Sequence, residues 1–133
     1  MDTKYKIFEI PVWTAYEITG KLKSTVNNRF SVGLKLDNDN TSKAMARIGA
    51  YTSLDAYISS TTGAALVDNN AGSYTANTDV GVKFVYNNGN MKLYINNVLI
   101  SEASIDYYPI YLMLHSYNAS KTVSVSDMKI KSL

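Results

Sequence analysis

The 133-residue chain contains no cysteine and only two prolines, Pro11 and Pro109. Without cysteine there is no disulfide framework, no thiolate metal site and no cysteine nucleophile. A chain of this length does not need disulfides to bury a core, so their absence leaves the compartment open. Glutamate is also scarce, whereas asparagine, serine, threonine and tyrosine are abundant. This composition is poor in the residues of long helices and favours strands joined by polar turns.

A strong net charge and long apolar runs are missing as well. The formal net charge is +2, and the lysines and arginines are scattered along the sequence. That distribution argues against a nucleic-acid groove, which needs a basic stripe. The longest apolar run, Tyr107 to Leu114, is far too short to span a bilayer, and no secretory leader is visible at the start. We therefore expect no nucleic-acid partner and no membrane insertion.

Apolar and polar residues alternate along much of the chain, which is the period of a β-strand. Arg29 to Leu36 is the cleanest example, and Ala64 to Val67 is a candidate short strand. The stretches Asn87-Asn88-Gly89-Asn90 and Asn96-Asn97 are typical of tight hairpins, because asparagine and glycine accept a positive φ at low cost. About ten strands at regular spacing, without any helical period, predict an antiparallel sandwich or barrel. We expect residues 1–133 to form one domain.

The segment Tyr107 to Tyr117 is the strand around which this pattern is organised. Its alternate residues point to opposite faces of a sheet. One face holds Ile110, Leu112 and Leu114, and the other holds Tyr111, Met113, His115 and Tyr117. The first set is plain core. The second is a row of flat, amphipathic groups that can stack on a sugar ring or pack beneath another layer of protein.

Several segments carry a recognisable order of strands and turns. They are VKFVYNNGNMKLYINNVLIS at 82–101, YYPIYLMLHSY at 107–117, VSVSDMKIKSL at 123–133 and, upstream, YEITGKLKST at 16–25 and RFSVGLKL at 29–36. This order resembles the concanavalin A-like lectin/glucanase superfamily and its laminin-G-like relatives. The resemblance implies a two-sheet jelly-roll sandwich in which one sheet is often the binding face. Viral fibre and microbial adhesin domains reuse that sandwich, which implies an extracellular or virion-surface location.

Catalytic motifs are absent from the sequence. Glucanases of the superfamily carry a Glu-x-Asp-x-Glu or Glu-x-Asp-x-x-Glu run whose outer carboxylates act as nucleophile and general acid. None of the three glutamates, Glu9, Glu17 and Glu102, is followed two residues later by an acidic residue. The only histidine is His115, and there is no Gly-x-Ser-x-Gly elbow. We therefore expect the chain not to be an enzyme, with an unorthodox glycan hydrolase as the weakest alternative.

Metal and cofactor signals are weak. Asp37-Asn38-Asp39-Asn40 offers oxygen ligands for calcium, which legume-type and laminin-G-type relatives bind. The spacing does not fit an EF-hand loop, because position six would be Ser42 and position twelve would be Ile48. A solvated turn is the preferred interpretation. No glycine-rich phosphate loop is present, so no cofactor is expected.

The candidate binding site consists of aromatic and polar side chains that strand parity places opposite the apolar rows. They are Arg47, Tyr51, Asp55, Tyr57, Tyr111, His115 and Tyr117. Ring faces pack against the C–H patches of sugars, and planar polar groups bond the hydroxyls. The same mixture suits an oligomer interface, since tyrosine and arginine dominate binding hot spots. A third interpretation is that these tyrosines pack beneath the loop at 60–78.

Two residues of this pattern have alternative roles. His115 is interpreted as a half-exposed strand residue that is hydrogen-bonded to a neighbour, with ligand contact as the alternative. Trp13, the sole tryptophan, is interpreted as a core or rim anchor. Together the observations predict a non-enzymatic module that binds a glycan or a cell-surface receptor, within a viral fibre or an adhesin. The alternative is a structural domain whose tyrosine-rich face is a homo-oligomer interface.

Overall fold

The structure, a computed structural model, describes residues 4–38, 43–117 and 122–133. All regular elements in these ranges are strands, and there are eleven of them. They are β1 (Lys4–Glu9), β2 (Ala15–Ser24), β3 (Phe30–Lys35), β4 (Met45–Ala50), β5 (Leu54–Ser59), β6 (Ala65–Asn70), β7 (Val80–Asn87), β8 (Asn90–Ile95), β9 (Val98–Ser104), β10 (Tyr111–Ser116) and β11 (Val123–Ser132).

The strands form two antiparallel sheets. The six-stranded sheet has the order β1-β10-β3-β4-β5-β6, and the five-stranded sheet has the order β11-β2-β7-β8-β9. Their inner faces enclose a common core, which confirms the prediction of an all-β sandwich. The described ranges hold no helix of the length and apolar character that crossing a membrane would need.

The core follows the alternation of the sequence. On β3, Phe30, Val32 and Leu34 point inward and are completely buried. On β7 of the facing sheet, Val82 and Phe84 also point inward and are buried. Because side chains of a strand alternate with period two, the next residues along each strand must lie on the outer faces. Burial of the inner rows therefore determines which side chains form the outer face of each sheet.

Two hairpins of the five-stranded sheet turn on asparagine and glycine. Asn88 and Gly89 have φ values of 48° and 94°, and Asn96 and Asn97 have φ values of 50° and 66°. Two successive residues with positive φ match the right-handed twist of the flanking strands. Both turn predictions are confirmed.

The segment before β10 differs from the prediction. The strand begins at Tyr111 rather than at Tyr107, because residues 105–110 connect β9 in one sheet to β10 in the other. Tyr108 packs edge-on against Tyr86, with 5.4 Å between ring centroids. The candidate strand at 64–67 extends further than predicted, to Asn70, and forms β6 at one edge. Trp13 lies at the rim, partly exposed, in the connection between β1 and β2.

Candidate functional site

The outer face of the six-stranded sheet brings the predicted residues into two neighbouring rows. Strand register sets out one row as His115, Ser31, Gly49 and Asp55, and the next as Met113, Gly33, Arg47 and Tyr57. The first row runs across β10, β3, β4 and β5. The second row crosses the same four strands and is displaced by two positions along each strand. Side chains from four strands therefore meet on one surface.

Arg47 lies at the centre of this surface. Its guanidinium carbon is 5.2 Å from the ring centroid of Tyr51 and 4.8 Å from that of Tyr57, both within the range of a cation–π interaction. Its Nη1 is 3.5 Å from Oδ1 of Asp55, which makes a long hydrogen bond and ion pair. Only 8% of Arg47 is exposed, so this charge is held largely by rings and one carboxyl group.

Tyr117 joins this group to His115. Its ring centroid is 4.9 Å from that of Tyr51 and 4.0 Å from that of His115. Six of the seven predicted residues therefore form one contiguous group, which we call the Arg47 cluster: Arg47, Tyr51, Asp55, Tyr57, His115 and Tyr117. Tyr111 lies apart from it, in a row with Glu9 and Lys35.

His115 is buried, with 4% of its surface exposed, and not half-exposed as the sequence suggested. Neither ring nitrogen has a hydrogen-bond partner in the described part of the chain, so the predicted bond to a neighbour is wrong as well. Burial lowers the pKa of His115 to about 4, and the positive charges of Lys35 and Arg47 act in the same direction. The imidazole is therefore uncharged at neutral pH.

Asp55 is perturbed in the opposite direction. Burial raises its pKa to about 7, and hydrogen bonding to the carboxyl of Asp68 adds to the rise. The positive charge of Arg47 opposes this shift and does not overcome it. Asp55 is therefore only partly ionised near neutrality, and it neutralises the Arg47 guanidinium incompletely.

The sequence did not single out three polar residues of this face. Ser31 is 1% exposed and has an unpartnered hydroxyl among the described residues, and Lys35 is completely buried. The alternation of Arg29 to Leu36 is the sequence signal for both, because it places Ser31 and Lys35 on the face opposite Phe30, Val32 and Leu34. Asp68 comes from β6, where no clear alternation marked its orientation.

The part of the chain that the structure describes contains no group of three or more histidine, aspartate or glutamate side chains that could hold a metal ion. Asp39 and Asn40, from the proposed calcium loop, lie outside the described residues. A cleft of about 440 Å³ lies elsewhere in the molecule, lined by residues that include Leu54, Tyr74 and Asn96. None of the seven predicted residues lines it. Arg47 and His115 are themselves buried, so the cluster is a largely buried group of side chains with Tyr51 at its exposed border.

Neither family models nor curated protein sequences match this chain. Solved structures do. A galectin, LEC-6 of Caenorhabditis elegans, superposes with a TM-score of 0.63 at 13% identity, covering 95% of this chain and 89% of the galectin. Carbohydrate-binding module CBM66 from Bacillus subtilis gives a TM-score of 0.65 at 13% identity, covering 98% of this chain and 82% of the module. A family 7 alginate lyase bound to its product superposes with a TM-score of 0.69 at 8% identity, covering 95% of this chain and 66% of the lyase.

The exclusion of enzymes from sequence was wrong. The same sandwich occurs in alginate lyases and in a sialidase, so the missing glucanase carboxylates do not exclude catalysis on this scaffold. The viral-fibre and laminin-G parts of the resemblance stay predictions. Identities this low establish the architecture and leave the activity to the site itself. The chain has the antiparallel jelly-roll sandwich fold that lectins, carbohydrate-binding modules and alginate lyases share.

Proposed function

We propose that this protein binds carbohydrate through the Arg47 cluster on the outer face of its six-stranded sheet. The observation behind the proposal is the position of the Arg47 guanidinium between the rings of Tyr51 and Tyr57, next to the Asp55 carboxyl. Sugar rings are recognised by aromatic faces that cover their C–H patches and by planar polar groups that bond their hydroxyls. The cluster offers both on one surface.

Exposure of the aromatic groups supports a ligand contact. Tyr51 is 43% exposed although its ring packs against that of Tyr117. A large part of the Tyr51 surface is therefore open to a ligand at the border of the cluster. A ring that served only to pack the fold would be expected to bury most of its surface.

A glycan array with purified protein tests the proposal. We expect Tyr51→Ala to reduce binding by about three- to tenfold with little change in melting temperature, since stacking on one ring contributes about 0.5–1.5 kcal/mol. Tyr94→Ala is the matched control, because Tyr94 lies on the outer face of the other sheet. There the Lys83 Nζ is 4.2 Å from the centroid of the Tyr94 ring. Equal losses for both variants, or no binding to any glycan, would reject the proposal. Dissociation of an oligomer by Tyr51→Ala would instead favour an assembly interface.

Breakdown of the bound glycan is the second candidate. It is favoured by the position of the His115 imidazole against the Tyr117 phenol, with 4.0 Å between ring centroids, because imidazole and phenol are two of the side chains that transfer protons in catalysis. Incubation of each bound polysaccharide with the protein, followed by sizing of the products, tests this. Chain shortening that His115→Gln abolishes would establish it, and unchanged polymer length would reject it.

A further inference from the structure

We propose that the ligand is an acidic sugar, whose carboxylate is received between Arg47, His115 and Ser31. This inference rests on the proposed function and specifies the chemical class that the Arg47 cluster prefers. Three observations from the described residues support it: the sign of the local charges, the donors of Arg47 that make no hydrogen bond there, and two buried polar side chains without partners there.

The charges around His115 are positive. The two groups that act on its imidazole are Lys35, from β3, and Arg47, from β4. Asp55, the acidic partner of Arg47, is only partly ionised near neutral pH for the reasons given above. The other acidic group of this corner is Asp68, which is hydrogen-bonded to Asp55. A carboxylate at His115 and Arg47 therefore faces two cations, and the nearest acidic group, Asp55, is partly protonated.

Most N–H donors of the Arg47 guanidinium make no hydrogen bond within the described residues. A guanidinium carries five N–H donors in a planar fork that suits two oxygens of one carboxylate. In the described residues its hydrogen-bond acceptor is Asp55, through a single contact of 3.5 Å. The tyrosine rings on either side hold the guanidinium without using those donors. The guanidinium is therefore held in place by the two rings, and its N–H donors are still able to bind an anion.

Ser31 and His115 supply the second half of the site. They lie directly opposite each other in the β3–β10 register, both are more than nine-tenths buried, and the Ser31 hydroxyl and the His115 nitrogens have no partner in the described ranges. A hydroxyl and a neutral imidazole can each donate one hydrogen bond to a carboxylate oxygen. Entry requires the half-exposed Tyr117 ring, packed on His115, to move aside.

Titration calorimetry against matched polymers tests the inference. The probes are a polyuronate, the same polymer after chemical reduction of its carboxyl groups, and a sulfated polysaccharide. We expect the polyuronate to bind at least about tenfold more tightly than its reduced form, which corresponds to loss of one charge-assisted contact. Equal binding of the reduced polymer would overturn the acidic preference and leave the proposed function standing. Tighter binding of the sulfated polymer would overturn the carboxylate assignment, and binding of none would overturn the proposed function itself.

Variants locate the contact. Arg47→Gln is expected to reduce polyuronate affinity at least about tenfold, while Lys83→Gln, which removes a cation stacked on Tyr94 in the other sheet, changes it less than about twofold. Equal losses would indicate non-specific attraction of a polyanion and overturn the inference. Ser31→Ala removes a hydroxyl that has no hydrogen-bond partner among the described residues, so the protein should stay folded. We expect that variant to lose about threefold or more in affinity, and unchanged affinity would contradict the role of Ser31.

Discussion

The imidazole of His115 packs against the phenol ring of Tyr117 with 4.0 Å between ring centroids, while both of its nitrogens lack hydrogen-bond partners in the described residues. Ser31, opposite His115 in the neighbouring strand, has an unpartnered hydroxyl there too. Buried polar atoms of this kind cost folding free energy, so folds usually satisfy them. Local violations of such rules are expected at functional sites. We therefore expect this pair to lie where the proposed ligand binds.

Two buried serines on the same face should respond differently to alanine. Ser31→Ala is expected to leave the free energy of unfolding unchanged or slightly raised, because its hydroxyl makes no hydrogen bond within the part of the chain that the structure describes. Ser59→Ala should lower it by about 1–3 kcal/mol, since the Ser59 hydroxyl accepts a bond from the backbone N–H of Met45 at 3.0 Å. Urea denaturation measures both. A loss at Ser31 as large as that at Ser59 would show that the Ser31 hydroxyl is satisfied in solution.

The pH dependence of stability should show two opposing contributions. His115 has a folded pKa near 4 and an ordinary value of 6.5, so the folded state binds fewer protons between these values and stability rises with pH. Asp55 has a folded pKa near 7 and an ordinary value of 3.8, so the folded state binds more protons and stability falls with pH. Each slope is about 1.4 kcal/mol per pH unit, and the two cancel between about pH 4 and 6.5.

Single variants should separate these contributions. Relative to the wild type, His115→Phe is expected to lose stability as pH rises from 4 to 6.5, and Asp55→Asn is expected to gain it, each by up to about 3 kcal/mol. The charged and titratable groups around them, Lys35, Arg47 and Asp68, are present in both variants. Urea denaturation at half-unit pH steps provides the measurement. Parallel profiles for all three proteins would show that neither group is perturbed.

Close approach of β3 and β4 makes Gly49 irreplaceable. A Cβ added there would lie 2.6 Å from the Ser31 Cβ and would also strike the Phe30 carbonyl oxygen, so backbone has to shift. We expect Gly49→Ala to lower the free energy of unfolding by about 3 kcal/mol. Gly81→Ala is the control, because its nearest neighbour is a side-chain oxygen of Asn96 at 3.3 Å, and it should change stability by less than about 1 kcal/mol. Similar losses at both positions would contradict this account.

Alternation in the sequence was enough to place most residues of the Arg47 cluster on one face of the sheet. In β5, the apolar residues Leu54, Ala56 and Ile58 point into the core, so Asp55 and Tyr57 had to share the outer face. The same logic assigned Arg47, His115 and Tyr117. Alternation predicts the faces because a register shift of one residue would move the apolar side chains out of the core.

The order of the strands within each sheet could not be predicted from the alternation of apolar and polar residues. β10 pairs with β1 and β3 rather than with β9, which precedes it in the chain. That long-range pairing sets His115 opposite Ser31 and moves Tyr111 next to Lys35. The interaction of Asp55 with Asp68 depends on β6, an exposed edge strand whose sequence lacks clear alternation. Contacts between strands distant in sequence are decided by packing of the whole sandwich, and no local pattern records them.

Affinity for an acidic sugar should depend on the ionisation of Asp55. Below about pH 7 this carboxyl is mostly protonated and releases the Arg47 guanidinium, and above that pH its charge competes for the same donors. A polyuronate stays ionised throughout, since ordinary carboxyl pKa values lie near 4. We therefore expect the affinity of the wild type to fall by up to about tenfold between pH 6 and pH 8. The affinity of Asp55→Asn should stay close to the wild-type value at pH 6 and change little across this range. Calorimetry at constant ionic strength measures both.

Asp127→Asn provides the matched control for this prediction. Asp127 pairs with Lys21 at 3.3 Å on β2 of the other sheet, and its carboxyl is largely exposed, so its loss should leave the wild-type pH profile intact. If Asp55→Asn retained the wild-type decline, another group would be responsible for the titration. If its affinity instead dropped at every pH, Asp55 would be a ligand contact in its own right. Only a flattened profile with preserved affinity at pH 6 identifies Asp55 as the competitor that the ligand carboxylate displaces from Arg47.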